Sequence, residues 1–138
     1  MSGHMEHDDM IVQVSDLELL VLGVDKQAPG AARKFVGEWF RDRGIKDAYT
    51  AQLIMSELVT NALLHGQPPI AVRMVRDESD GLPVIEVEDG GDGSPIVQPK
   101  SDTATDGRGL VLVSVLAKEW GTRPLHSGGK VTWAKCAL

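Results

Sequence analysis

The sequence predicts a two-layer α/β (α+β) sandwich. A mixed, mostly antiparallel sheet of about five strands would carry three helices on one face. Three observations lead there. Short apolar segments with hairpin-type spacing lie toward both ends of the chain, with helical segments between them. The longest helical pattern, from about Asp47 to His65, sits near the middle. The chain has 138 residues, 42% of them hydrophobic and 25% charged, which suits one domain that buries a core without disulfides.

Charge and composition exclude several classes of function. The formal net charge is −6 and no basic stripe is visible, so direct nucleic-acid binding is not expected. The apolar runs are too short for a membrane span, and no charged-then-apolar leader opens the chain. Cys136 is the single cysteine; it has no disulfide partner and no metal-ligand neighbour at useful spacing. A cytoplasmic location follows as the expectation. The opening MSGHMEHDD reads as a tag remnant and polar tail, so residues 1–9 are set apart from a single domain over 10–138. His4 and His7 are excluded from any metal argument on the same ground.

From Ile11 to Val24, Val12/Val14 and Leu20/Leu22 alternate and read as one strand or two short ones. Pro29 suits a first helical turn, and Ala31 to Arg43 reads as an amphipathic helix with Phe35, Val36, Trp39 and Phe40 inward, ended by Gly44. The central helix stops at Gly66, just before Pro68-Pro69. Ile70 to Val75 alternates as a strand, Asp77 to Pro83 is a polar turn, and Val84, Ile85 and Val87 lead a second strand into Glu88-Asp89; a hairpin joins the two. From Gly90 to Gly109 no apolar period survives. Its composition predicts a binding loop, with residues about 94 to 106 mobile until a ligand orders them. A short apolar helix from about Arg108 to Ala117 follows. Trp120 to Leu125 and Val131 to Ala137 form a closing hairpin across Ser127-Gly128-Gly129.

The chemistry concentrates in three places. Within the central helix, SELVTNALLHG (Ser56 to Gly66) sets Glu57, Asn61 and His65 among Leu53, Ile54, Leu58 and Ala62. Steps of four advance about 400° around an α-helix, so these polar groups share one flank. A carboxylate and a carboxamide bordered by apolar residues cost energy unless something pairs with them. Alone, the pair would read as an exposed polar face, and His65 as a packing or capping residue. The second place is Asp89-Gly90-Gly91-Asp92-Gly93, a strand-end carboxylate followed by glycines that let backbone approach a flat ligand. The third is Gly107-Arg108-Gly109-Leu110, where glycines open a helix whose free N–H groups suit an anion. Neither glycine-bearing element is decisive alone, and neither is a P-loop or a GxGxxG after the first strand.

Taken together and in this sequence, Glu-x-x-x-Asn on a helix, Asp-x-Gly-x-Gly at a strand end and Gly-x-Gly before a helix resemble the Bergerat-type ATP-binding fold. Gyrase-type topoisomerases, heat-shock chaperones, mismatch-repair ATPases and sensor histidine kinases share that fold. Glu57-Leu-Val-Thr-Asn61-Ala62-Leu-Leu-His65-Gly66 is most similar to bacterial anti-sigma factors that are also serine kinases. Sensor kinases usually carry an amide where Glu57 stands, together with a preceding dimerisation helix. Gly128-Gly129-Lys130-Val-Thr-Trp133 resembles the last strand of stand-alone actinobacterial members.

The resemblance implies ATP and Mg²⁺ as cofactors. It gives Asp89 the adenine amine and has Gly91 and Gly93 shape the adenine pocket. Asn61 would hold the Mg²⁺, while Gly107, Arg108 and Gly109, leading into Leu110, would meet the phosphates. Glu57 would be the general base toward a serine hydroxyl. Relatives often carry a hydroxyl residue directly after Lys or Thr in the last strand. Val131 stands there in this chain, and Thr132, one residue on, would face the other way. Asp102 and Asp106 would have to face away from a triphosphate. The partners implied are a sigma factor and a serine-bearing anti-anti-sigma protein; a homodimer is left open. So is the alternative of a nucleotide-dependent binding module with little or no kinase activity.

Overall fold

The structure is a computed structural model that describes residues 12–14, 17–91 and 104–138. The tail over residues 1–9, the sequence-predicted residues Gly93 and Asp102, and the loop expected to be mobile over about 94 to 106, apart from 104–106 at the start of the last helix, lie outside those residues. Nine elements follow one another: β1 (Val12–Val14), β2 (Leu17–Leu22), α1 (Ala28–Asp42), α2 (Tyr49–His65), β3 (Ile70–Arg76), β4 (Pro83–Asp89), α3 (Ala104–Leu116), β5 (Ala117–Pro124) and β6 (Lys130–Cys136).

The α+β two-layer sandwich is the one the sequence predicts. Its sheet has six strands in the order β1-β2-β3-β4-β6-β5, every neighbouring pair antiparallel, rather than about five in a mixed arrangement. The extra strand is the three-residue β1, folded back on β2 with Val12 opposite Leu19. The chain completes the sheet from inside: β5 takes the edge and β6 returns between it and β4.

Alternation along the strands decides which side the helices cover. Leu22, Ile70, Val72, Met74, Ile85, Val87, Ala134 and Cys136 are all buried, and their cross-strand pairs (Leu22 with Ile70, Val72 with Val87, Met74 with Ile85, Ile85 with Ala134) put them on one face. The helices close over that face. Ala32, Phe35, Val36, Trp39 and Phe40 come from α1, and Ala51, Ile54, Met55, Leu58, Val59 and Ala62 from α2. Each large side chain so buried stabilises the fold by about 1.5–3 kcal/mol before entropy is charged against it. Trp39, fully buried and capped by the Arg43 guanidinium 4.1 Å from its ring centre, anchors α1. The opposite face of the sheet is charged, with Arg73 bridging Glu86 and Glu88, and Arg123 reaching Glu86 at 3.3 Å.

α2 is the middle helix, touching α1, α3 and strands β3, β4 and β6. With neighbours on three sides it is apolar round most of its circumference; Leu53, Glu57 and Asn61 form a half-buried flank, and Thr60, Leu64 and His65 are exposed. It starts two residues later than the sequence pattern suggests. Asp47 takes φ +62° and accepts the Tyr49 N–H at 3.3 Å, an Asx-type turn into the helix. α3 starts earlier than expected, at Ala104 instead of about Arg108, so Gly107 and Gly109 fall within it. Ala117, expected to end α3, begins β5.

Candidate functional site

The site is built around Asp89, the last residue of β4. It and Ser56 are the buried polar side chains among the described residues, and Asp89 is only 3% exposed. A carboxylate in that position needs hydrogen bonds. Its Oδ1 accepts the Gly91 N–H at 2.9 Å, and its Oδ2 accepts from Lys130 Nζ at 2.9 Å. Lys130 is the first residue of β6 and the direct cross-strand partner of Asp89, so strand register itself sets the two groups side by side.

Close backbone approach makes room for this arrangement. A Cβ on Gly66, at the end of α2, would lie 2.6 Å from the Asp89 Cγ and 2.7 Å from its Oδ2. Gly66 has φ −95°, so its lack of a side chain serves space and not dihedral freedom. A Cβ on Gly129 would lie 2.5 Å from the Asp89 carbonyl oxygen, and Gly129 also has φ +93°, a region that glycine alone occupies cheaply. The Gly90 N–H donates to the Gln67 carbonyl at 2.6 Å, which ties the end of β4 to the segment leaving α2. Three chain segments therefore meet around one carboxylate with backbone, not side chains, between them.

Through Gly66 the carboxylate is joined to α2, which carries Glu57 and Asn61 one turn apart on its half-buried flank. Among the described residues neither side chain has a hydrogen-bond or ion-pair partner, so the Glu57 carboxylate and the Asn61 carboxamide are available to a ligand. His65 is exposed at the last position of α2. Gly107 is the fourth residue of α3, among the first four whose N–H groups lack an intrahelical acceptor; Arg108 and Gly109 come just after. Leu110, next in α3, is half-buried against the core.

Thr132 faces the way sequence reasoning discounted. It pairs with Val87, two residues along each strand from the Lys130–Asp89 pair, so its side chain is on the helix side of the sheet with Asp89. Val131, opposite Glu88, points to the other face. Sequence reasoning also missed Lys130 as a site residue. A lysine after Gly-Gly at a strand start was a usable signal, but only once β6 was known to lie beside β4.

The chemistry suits an amine-bearing base: a buried acceptor at a strand end, with Gly66 and Gly129 backbone packed against Asp89. For a divalent metal the fit is narrower. Among the described residues no three His, Cys, Asp or Glu side chains come together to hold an ion. A Mg²⁺ here would take the Asn61 oxygen from the chain and complete its shell with phosphate and water, the way this hard ion is commonly held. Likewise, among the described residues no helix is long and apolar enough to cross a membrane.

An antiparallel sheet under three helices, with a strand-end aspartate beneath the end of the middle helix, defines a nucleotide-type ATPase fold. Residues 24–135 match the family model of the histidine kinase-like ATPase domain, and the chain belongs to that family, the Bergerat-type ATP-binding fold. The structure is similar to that of the RsbU and RsbW domains of Rv1364c from Mycobacterium tuberculosis, with TM-score 0.65 and 22% identity, over 88% of this chain and 32% of that one. The chain thus spans about a third of that protein's solved length, and the likeness establishes the fold. No curated protein matches the sequence.

Proposed function

We propose that this chain is a cytoplasmic ATP-dependent protein serine kinase of the anti-sigma type. In this reading it phosphorylates a serine on an anti-anti-sigma partner and sequesters a sigma factor. Bound ATP with Mg²⁺ supplies the phosphoryl group. Asp89 accepts from the adenine amine, with Gly91 and Gly93 forming the pocket beside it and Thr132 on the same side of the sheet. Asn61 holds the metal, and Gly107, Arg108 and Gly109 line the phosphate end. Glu57 takes the proton from the attacking serine hydroxyl.

One observation carries the enzymatic reading: Glu57 is a half-buried carboxylate with no partner among the described residues, on the same flank as Asn61 and one turn away. A structural carboxylate would be paired; a general base has to be free. The test is Glu57→Gln, with ATP affinity and phosphotransfer measured on one preparation using labelled ATP and serine-bearing partner proteins. ATP affinity is expected to stay within about twofold, since the amide fills the same space, while transfer falls by about 10²–10⁴. Unchanged transfer removes Glu57 from the mechanism, and ATP binding without transfer by the unsubstituted chain leaves a nucleotide-dependent binding module.

A further inference from the structure

We infer that Lys130 is a second base-reading residue, donating to N1 of a bound adenine while Asp89 beside it accepts from the adenine amine. The assignment rests on the ATP-binding reading above and deepens it by naming what distinguishes adenine from other bases.

The inference starts from hydrogen-bonding capacity left over. An ionised carboxylate has about four acceptor positions and an ammonium has three donors. Asp89 spends its described contacts on Lys130 and the Gly91 N–H. Lys130 spends one N–H on Asp89, and among the described residues its other two have no acceptor, although the side chain is only 14% exposed. Donors left unspent on a largely covered side chain can take an acceptor from a ligand. Lys135, on the same strand, differs: it divides its donors between Asp77 at 2.6 Å and Asp80 at 3.0 Å.

Position narrows what the ligand edge must be. Lys130 and Asp89 are direct cross-strand partners on the helix side of the sheet, where Gly66 backbone closes on the Asp89 carboxylate. Gly128 and Gly129, both at φ +93°, bring the chain into β6 at that point, so Lys130 is set by the turn and by the register together. The pair therefore presents an acceptor next to a donor, held by backbone. Adenine offers the complement on adjacent atoms, an amine hydrogen at N6 and a lone pair at N1. Guanine reverses both: O6 would face the carboxylate and N1–H the ammonium. Such a salt bridge discriminates at two points, because the wrong base leaves two buried groups mispaired instead of one.

Calorimetric titration of the intact chain tests this, with ATP, 1-deaza-ATP (a C–H replaces N1) and GTP against the unsubstituted protein, Lys130→Met and Lys130→Arg. The unsubstituted protein is expected to prefer ATP over 1-deaza-ATP by about ten- to a hundredfold, the range for a hydrogen bond to a charged group. Lys130→Met should erase that preference, weakening ATP by the same factor while 1-deaza-ATP stays within about twofold, and should narrow the ATP-to-GTP ratio. Lys130→Arg, which keeps a donor, should restore part of the preference. Each ratio compares two nucleotides on one preparation, so a loss of folded fraction cancels. Tighter ATP binding by Lys130→Met would show that Lys130 competes with the base for Asp89. Equal weakening of ATP and 1-deaza-ATP would show a phosphate contact or a structural role. Either result overturns the inference while ATP binding stands. Absence of ATP binding by the unsubstituted chain overturns the ATP reading, and this inference with it.

Discussion

Two lysines five residues apart on β6 each form an ion pair, and they serve different ends. Lys135 joins Asp77 and Asp80, which flank the β3–β4 turn. Every oxygen there is used: Asp77 Oδ1 accepts the Ser79 N–H at 2.8 Å and the Ser79 hydroxyl at 2.7 Å, and Asp80 Oδ1 accepts the Leu82 N–H at 3.0 Å. This network is closed, and its role is to fix a turn. Lys130 and Asp89, at the other end of the strand and on the other face, share one bond and leave donors and acceptors unspent. The two lysines are almost equally covered, at 14% and 12% exposed, and their shortest bonds differ by little. Their acid partners differ: the Asp89 side chain is 4% exposed, against 29% for Asp77 and 31% for Asp80, so only the Lys130 pair is buried at both ends. The donors differ as well: Lys135 divides its ammonium between two carboxylates, and Lys130 meets one.

Four experiments test that distinction. The largest effect is expected from Asp89→Asn, which strands the Lys130 ammonium beside an amide. Stability should fall by about 3 kcal/mol, the low end for a broken buried pair, and calorimetric ATP affinity by at least about tenfold. Unchanged ATP affinity would remove Asp89 from the site. Next comes Gly66→Ala, whose methyl would stand 2.6 Å from the Asp89 Cγ and 2.9 Å from the Ala62 carbonyl. Overpacking of this kind costs about 1–3 kcal/mol in denaturant unfolding and should weaken ATP by moving the carboxylate.

Lys135→Met should lower stability less and leave ATP affinity unchanged, in contrast to Lys130→Met. Its pH dependence has a definite window. The Lys135 ammonium and then Ser79 hold the Asp77 carboxyl well below its ordinary 3.8, and the Leu82 N–H followed by Lys135 lowers Asp80. Asp77, followed by Asp80, raises Lys135 above its ordinary 10.5. Depressed carboxylates stabilise the fold fully above 3.8 and lose that contribution as pH falls through their folded values. The raised lysine contributes fully below 10.5 and stops contributing as pH rises through its folded value. The stability gap between Lys135→Met and the unsubstituted protein should therefore be flat from about pH 5 to 10 and shrink in acid. A gap that widened in acid would contradict the network. The smallest effect concerns Cys136, 1% exposed, whose thiol burial pushes up to about 12 from 9.0. It should resist an aromatic disulfide reagent at pH 8 until the chain is unfolded.

What the sequence made legible follows the range of the interactions. α1, α2 and the β3–β4 hairpin rest on local periodicity and turn chemistry, and each is found within a few residues of its expected bounds. The Glu57–Asn61 flank was readable because helical geometry converts spacing into a face. The α3 start was misjudged because Gly107 and Gly109 read as opening the helix, while the helix begins at Ala104 and runs through both. Thr132 was assigned the wrong face, and Lys130 was passed over, for one reason: each depends on which residue of β6 stands opposite which residue of β4. Those partners are 41 positions apart at Lys130 and Asp89, and nothing local encodes that register.

That separation has a consequence for how the molecule comes into being. The Asp89 carboxylate is synthesised well before its ammonium partner, and β6 must slot between β4 and an edge strand made before it. A chain still emerging from the ribosome can pair β3 with β4 and pack α2 above them, yet its strand-end carboxylate has no counter-charge and Gly129 is not there to close behind it. A nucleotide that contacts both charges would therefore select molecules in which β6 has paired with β4. Because β6 follows β5 in the chain yet takes an interior place in the sheet, closing the long loop to β4 is the step most exposed to entropy, and ligand added during refolding should act after it and not before.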